Sequence, residues 1–263
     1  MIRDMFGVTL IEGFAIGPIF IRLYGLLIAV GMGLAYWLAI KVGKKLKISR
    51  DQVENAFVLI VGLGIVGARI YHVVDYWSYY WQFPSEIIMI WNGGLGIYGA
   101  ILGGLVGMVI VSWRNKIKLL DWMNVSVLGL ILAQALGRIG NWANVEGFGL
   151  PTDLPWKLYV SPTLRPVGLE MYEYYHPTFI YESLLCLVGF GVLAYLYRKG
   201  KVNYLAGSYL VIYGLIRLIT ERFRLDTAMV GRLAVADVFS IVSVLVGVWL
   251  IYRQFKLESV KIA

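Results

Sequence analysis

The sequence predicts an all-α integral membrane protein of about seven transmembrane helices, with the N-terminus outside, the C-terminus cytoplasmic and a small external head segment. Three observations carry that reading. Apolar residues make up 59% of the chain against 15% charged ones, and mean hydropathy is +0.73, well beyond the range of soluble domains. Apolar runs long enough to cross about 30 Å of hydrocarbon recur along the chain. Lys and Arg gather after alternate runs, as they do where positive charge resists translocation.

The runs fall near 21–40, 56–74, 88–113, 119–138, 178–197, 204–221 and 234–252. Before the first, residues 1–20 carry Asp4 and Glu12 among short apolar stretches and no small-residue cleavage pattern, so they read as an interfacial arm outside the membrane and not as a cleavable signal. Lys41, Lys44, Lys45, Lys47 and Arg50 follow the first run; Arg114, Lys116 and Lys118 follow the third. Arg198, Lys199 and Lys201 follow the fifth, and Arg253, Lys256 and Lys261 the seventh. All of these are expected on the cytoplasmic side. The stretch "DYWSYYWQFPSE" after the second run has no Lys or Arg, and its Tyr and Trp suit headgroup depth, which makes 75–87 a second external arm. Residues 146–177 supply the external head loop, and the prolines fall in segments this topology places outside, where irregular backbone reaches water. The whole of 1–263 is read as a single membrane-embedded domain.

Several function classes drop out. The formal charge of +8 sits beside membrane spans, where it sets topology and meets anionic headgroups, so nucleic acid is not the expected partner. "GLGIVG" at 62–67 matches a dinucleotide fingerprint but lies inside a span, without the strand that motif needs. Glycines four apart, such as Gly99/Gly103 and Gly103/Gly107, read as close helix packing. No nucleophile elbow, zinc-protease helix or phosphate-binding loop occurs; the histidines are His72 and His176, and Cys186 lies in a span with no second cysteine to pair.

What remains is a set of polar residues where a membrane chain tolerates few. Under the predicted topology Arg22 and Tyr24 open the first span and Arg69 and His72 close the second, while the stretch from Asn92 to Tyr98 opens the third. Arg138, Asn141, Asn144 and Glu146 close the fourth, His176 and Glu182 open the fifth, and Arg217, Glu221 and Arg224 close the sixth. All would lie at the outer leaflet. Tyr213, Arg217, Glu221 and Arg224 are spaced four, four and three apart, so one helical face presents a hydroxyl, two cations and an anion. Arginine's planar fork matches phosphate, which points to the headgroup of an anionic phospholipid, with Glu146 and Glu182 orienting the guanidiniums or accepting a proton. Two other readings stay open at this level: a transporter or flippase for an anionic lipid, and a purely structural set of interhelical ion pairs.

With those residues in view, the chain resembles the prolipoprotein diacylglyceryl transferases across nearly its whole length. The resemblance rests on "GRIGNWANVEGFG" (137–149), supported by "RLYG" (22–25), "GGLGIYGA" (93–100), "HPTFIYE" (176–182) and "YGLIRLITERFR" (213–224). It implies a catalytic domain in a bacterial inner membrane. The reaction implied is transfer of the diacylglyceryl group of phosphatidylglycerol to the lipobox cysteine of a prolipoprotein signal peptide, with no metal, nucleotide or organic cofactor. By the same resemblance Arg138 and Arg217 are the phosphate-side arginines, and Tyr24, Asn141, Asn144, Gly149, Glu182, Tyr213 and Glu221 match substrate-binding positions. Glu146 joins the catalytic set. Tyr98 stands where many members of that family carry histidine, and is expected to donate a hydrogen bond or accept a proton in its place.

Overall fold

A computed structural model of the chain describes residues 13–16, 19–144, 146–225, 227, 229–230 and 233–262. The predicted interfacial arm at 1–20 lies outside the described residues for 1–12 and 17–18; the rest is a β-hairpin of β1 (Gly13–Ile16) and β2 (Ile19–Arg22). Helices follow in the order α1 (Leu23–Lys45), α2 (Arg50–Asp75), α3 (Trp77–Gln82), α4 (Ile97–Asn115) and α5 (Leu119–Asn144). A short hairpin of β3 (Leu158–Tyr159) and β4 (Tyr174–Tyr175) precedes α6 (Thr178–Arg198) and α7 (Leu205–Glu221). A third hairpin, β5 (Met229–Val230) with β6 (Leu233–Ala234), leads into α8 (Val235–Ile262). Seven of these helices, all but α3, are long and apolar enough to cross a membrane, as a multi-pass membrane protein requires.

Helix boundaries depart from the hydropathy reading where local chemistry overrides it. The second span starts at Arg50 and not at 56, because Ser49 and Gln52 form a reciprocal capping box that lets the polar turn "RDQ" begin a helix. The third starts at Ile97 and not at 88. There Gly93 and Gly94 take φ of 90° and 74°, which ends any helical path, and a helix restarts only after Gly96. The fourth runs on to Asn144, so Arg138, Asn141 and Asn144 all ride on helix.

The chain divides into two compact units, Ala39–Val125 and the remainder, Met1–Leu38 with Ser126–Ala263. In Ala39–Val125, α2 and α4 meet through small residues: a Cβ on Gly67, Gly99 or Gly103 would strike the facing backbone, the close approach expected of the glycines spaced by four. The larger unit uses the same device elsewhere. Gly207 and Gly214 of α7 face Gly247 and the Ser240–Val244 turn of α8, and Gly129 of α5 lies against Ala35 of α1. Large aliphatic side chains such as Val58, Val106, Val188 and Leu245 stay exposed on these helices, the arrangement expected where the solvent is hydrocarbon.

Within 146–177 a small core forms around Leu158, Val160 and Tyr175, packed with Phe179 at the start of α6. The Tyr175 hydroxyl donates to the Leu169 carbonyl at 2.7 Å, satisfying the one polar atom that this core would otherwise strand. The head is sewn to the helix ends by backbone. Gly149 bridges Arg224, Pro151 bridges Tyr175, and the Leu150 N–H donates to the Phe223 carbonyl at 2.9 Å.

Candidate active site

The polar residues of the larger unit converge on one buried carboxylate. Glu182, one turn into α6, has a side chain only 2% exposed and accepts from two other helices. Arg138 of α5 reaches its Oε1 through Nη2 at 2.9 Å, and the Tyr213 hydroxyl of α7 reaches the same oxygen at 3.4 Å. Arg217, one turn on from Tyr213, gives Nη1 to Oε2 at 3.4 Å and Nη2 to Glu221 at 2.6 Å. Arg224, just past the end of α7, completes the set, with Nη1 3.9 Å from Glu182 and Nε 3.9 Å from Glu221.

The electrostatics of this group are lopsided. Three guanidiniums surround two carboxylates, which leaves one positive charge in excess. The imbalance has a direction in space. The Glu182 and Glu221 side chains are 2% and 3% exposed, whereas Arg138 keeps 24% and Arg217 and Arg224 18% each, so the acids form a floor and the cations the accessible layer. A guanidinium has five N–H donors, and these carboxylates engage one on Arg138 and two on Arg217. Arg224 Nε is buried and makes no hydrogen bond. Burial first, and then the nearby charges of Arg217 and Arg138, push the Arg224 pKa down. Guanidinium donors arranged in this way suit an anion with several oxygens.

A second polar group lies along the same stretch of α5. Asn141 and Asn144 both donate Nδ2 to Glu146 Oε1, at 3.2 and 3.1 Å, and the Glu146 N–H returns to the Asn141 carbonyl at 3.0 Å. The two amides thus hold an exposed carboxylate just beyond the helix end. Tyr24 of α1 packs on Gly140, whose added Cβ would come within 2.6 Å of the ring, and it lies in the fields of both Glu146 and Arg138.

The sequence has relatives among known proteins. The family model described as prolipoprotein diacylglyceryl transferase matches residues 12–253. The chain belongs to the prolipoprotein diacylglyceryl transferase family. It is 39% identical over 252 residues to the phosphatidylglycerol–prolipoprotein diacylglyceryl transferase of Thermosynechococcus vestitus, covering 95% of this chain and 92% of the relative. It is 40% identical over 249 residues to the enzyme of that name from Synechococcus elongatus (92% of this chain, 85% of the relative), and 39% over 247 residues to the one from Lactococcus lactis (92% and 93%).

Within the family signature, geometry separates residues with different tasks. Arg138, Glu182, Tyr213, Arg217 and Glu221 form one connected group, in which Tyr213, Arg217 and Glu221 lie on the helical face expected from their spacing. Gly149 does not: it is a backbone seam, whose N–H donates to the His176 carbonyl at 2.8 Å, and an added Cβ would collide with the Phe223 carbonyl and Thr178. Arg22 is exposed on β2. Arg69, His72 and Tyr98 belong to the smaller unit. There Arg69 is 7% exposed and gives all its donor nitrogens to backbone carbonyls of Glu86, Ile87, Met89, Gly93 and Gly94. His72 stacks with Tyr76 and Tyr80, and Tyr98, 51% exposed, has its ring 5.7 Å from that of Tyr71.

Some polar residues in the larger unit escaped the sequence reading. Gln134 Nε2 lies 3.0 Å from the Tyr209 hydroxyl, and the Tyr209 and Tyr213 rings stack at 5.7 Å and 5°. A signal existed: Tyr209 extends the Tyr213, Arg217, Glu221 stripe by one more step of four, and Gln134 precedes Arg138 by the same step. His176, which the sequence places at the opening of the fifth span, lies beside this group in the larger unit. Its Nδ1 meets the Tyr181 hydroxyl at 3.2 Å, its ring packs 5.1 Å from Phe223, and burial lowers its pKa.

Proposed function

We propose that this protein moves the diacylglyceryl group of phosphatidylglycerol onto the thiol of a lipobox cysteine in a prolipoprotein, the first step of lipoprotein maturation. The thiolate attacks the glyceryl carbon bonded to the phosphate; a C–S bond forms, the C–O bond breaks, and glycerol phosphate departs with the bonding electrons. The observation that carries this reading is the unbalanced cluster, three arginines standing on two buried acids. Such a cluster binds the phosphate of the lipid and stabilises the charge that builds on it as the leaving group separates. Excess positive potential also favours ionisation of the substrate thiol, whose unperturbed pKa is about 8.5.

Roles follow from contacts. Arg138 and Arg217 hold the phosphate, and Arg224 adds a third fork beside them. Glu182 and Glu221 fix the guanidiniums from beneath and keep the empty site from being a stack of mutually repelling cations. Asn141 and Asn144 hold Glu146 at the rim, with Tyr24 nearby on Gly140, where the free glycerol hydroxyls of the headgroup offer the carboxylate donors. Tyr98 serves as a hydrogen-bond donor of the smaller unit. The lopsided Lys and Arg content of alternate loops supports a bacterial cytoplasmic membrane with this cluster toward its outer leaflet.

Purified protein mixed with phosphatidylglycerol vesicles and a lipobox peptide tests the reading directly. The peptide should gain the mass of one diacylglyceryl group at its cysteine, and a peptide with serine in that place should gain none. Lipid redistribution between leaflets with no change in peptide mass would replace transfer by flipping.

A further inference from the structure

Arg138 and Arg217 stand on different helices, α5 and α7, and both must present their forks to a single phosphate. Their shared partner Glu182 is one link between those helices, and a second lies one helical turn further into the bundle. Gln134 is four residues before Arg138 on α5, and Tyr209 is four before Tyr213 and eight before Arg217 on α7. The Gln134 amide and the Tyr209 hydroxyl meet at 3.0 Å, where Tyr209 is 8% exposed and the local dielectric is low, which strengthens the bond. Tyr209 in turn lies parallel to Tyr213, and the Tyr213 hydroxyl donates to the same Glu182 oxygen that Arg138 uses. The contacts therefore close on themselves, from Gln134 through Tyr209, Tyr213 and Glu182 to Arg138 and back along one turn of α5.

We infer that Gln134 and Tyr209 are positioning residues for the transfer: they lock the Tyr213 ring and fix the separation of α5 and α7 at which Arg138 and Arg217 engage one phosphate together. This rests on the proposed transfer reaction. Neither residue touches the lipid. A bare apolar contact between α5 and α7 would tolerate sliding and rotation, since hydrocarbon-facing helices gain little from any one register, whereas a two-point polar link does not. Arginine forks reward that fixation because their bidentate geometry fails with small misplacements.

Transfer to a lipobox peptide from phosphatidylglycerol vesicles should be followed as kcat and KM for wild type, Tyr209→Phe, Gln134→Leu, the double variant of these two, Tyr213→Phe, and Tyr209→Phe combined with Tyr213→Phe. Each single variant should lower kcat about 3- to 10-fold, the size of one hydrogen bond lost from a positioned network, with KM for the lipid changed less. Gln134→Leu strands the Tyr209 hydroxyl and should lower the melting temperature; the double variant removes both polar groups and should recover it. The kcat of the double variant should stay low, because the lock is gone although the packing is satisfied. In the Tyr213→Phe background Tyr209→Phe should have almost no further effect on kcat, since the path to Glu182 is already cut. Wild-type kcat in either single variant, or a kcat that returns along with melting temperature in the double, would overturn the positioning role while leaving the transfer reading intact. Absence of transfer by the wild type would remove both.

Discussion

The two units each bury arginine in a membrane-type environment and use it in opposite ways. Arg69 in Ala39–Val125 directs its donors to backbone carbonyls of the 86–94 segment, and no carboxylate among the described residues joins it. Arg138, Arg217 and Arg224 meet carboxylates, retain 18–24% side-chain exposure, and outnumber their anions. The same guanidinium is a fastener in one place and, in the proposed reaction, a receptor in the other. The surrounding acceptors decide which: carbonyls that must be satisfied absorb every donor, whereas two acids beneath three arginines hold the forks in place and still leave donors to offer.

Removing each kind of arginine should therefore damage a different property. Arg69→Met takes the donor from the part-buried carbonyls of Glu86, Ile87, Met89, Gly93 and Gly94 and should cost about 1–3 kcal/mol of stability, seen as a drop in melting temperature, while transfer per folded molecule falls far less. Arg138→Lys should do the reverse. Charge is kept but the fork is lost, and transfer to a lipobox peptide should fall about 100-fold with the melting temperature near that of wild type. If the Arg69 variant loses transfer without losing stability, the contrast between fastener and receptor is wrong.

Two smaller tests sharpen it. Gly149→Ala places a methyl against the Phe223 carbonyl and Thr178, at the seam that sets where Arg224 emerges from α7. About 1–3 kcal/mol of overpacking and a roughly 10-fold loss of transfer are expected, and Gly137→Ala, with open space around it, should show neither. The smallest effect concerns pH. His176 has its pKa lowered by burial, so the unfolded chain binds the extra proton more readily than the folded one. Its contribution to stability is full above about pH 6.5 and is lost as pH falls from there through the folded value. Melting temperature should drop more between pH 7 and 5 for wild type than for His176→Gln; equal drops would show that the imidazole plays no part.

Fold and site were legible to different depths. Span number came from apolar length alone, because hydrocarbon admits few ways to satisfy a backbone, and the structure returns seven candidate helices. Span ends were less legible. The α4 start moved to Ile97 because two positive-φ glycines interrupt an apolar run that hydropathy reads as continuous. In the site, the α7 stripe could be read from spacing, since i, i+4 neighbours share a face whatever the tertiary fold. Residue type alone could not separate Arg69 from Arg138, or show that Gly149 forms a backbone seam with Phe223 and His176.

The sequence by itself determined a membrane chain of seven apolar spans, the family signature on α5, and the one-sided polar stripe on α7, all properties of short-range pattern and solvent preference. Only the tertiary structure decided that Glu182 would gather Arg138, Tyr213 and Arg217 from two other helices, that Arg69 would be absorbed by a loop, and that Gln134 and Tyr209 would tie α5 to α7. The physical reason is that a charge in an apolar medium is defined by its partners. Those partners lie 17 to 75 residues away along the chain, brought close only when the chain folds.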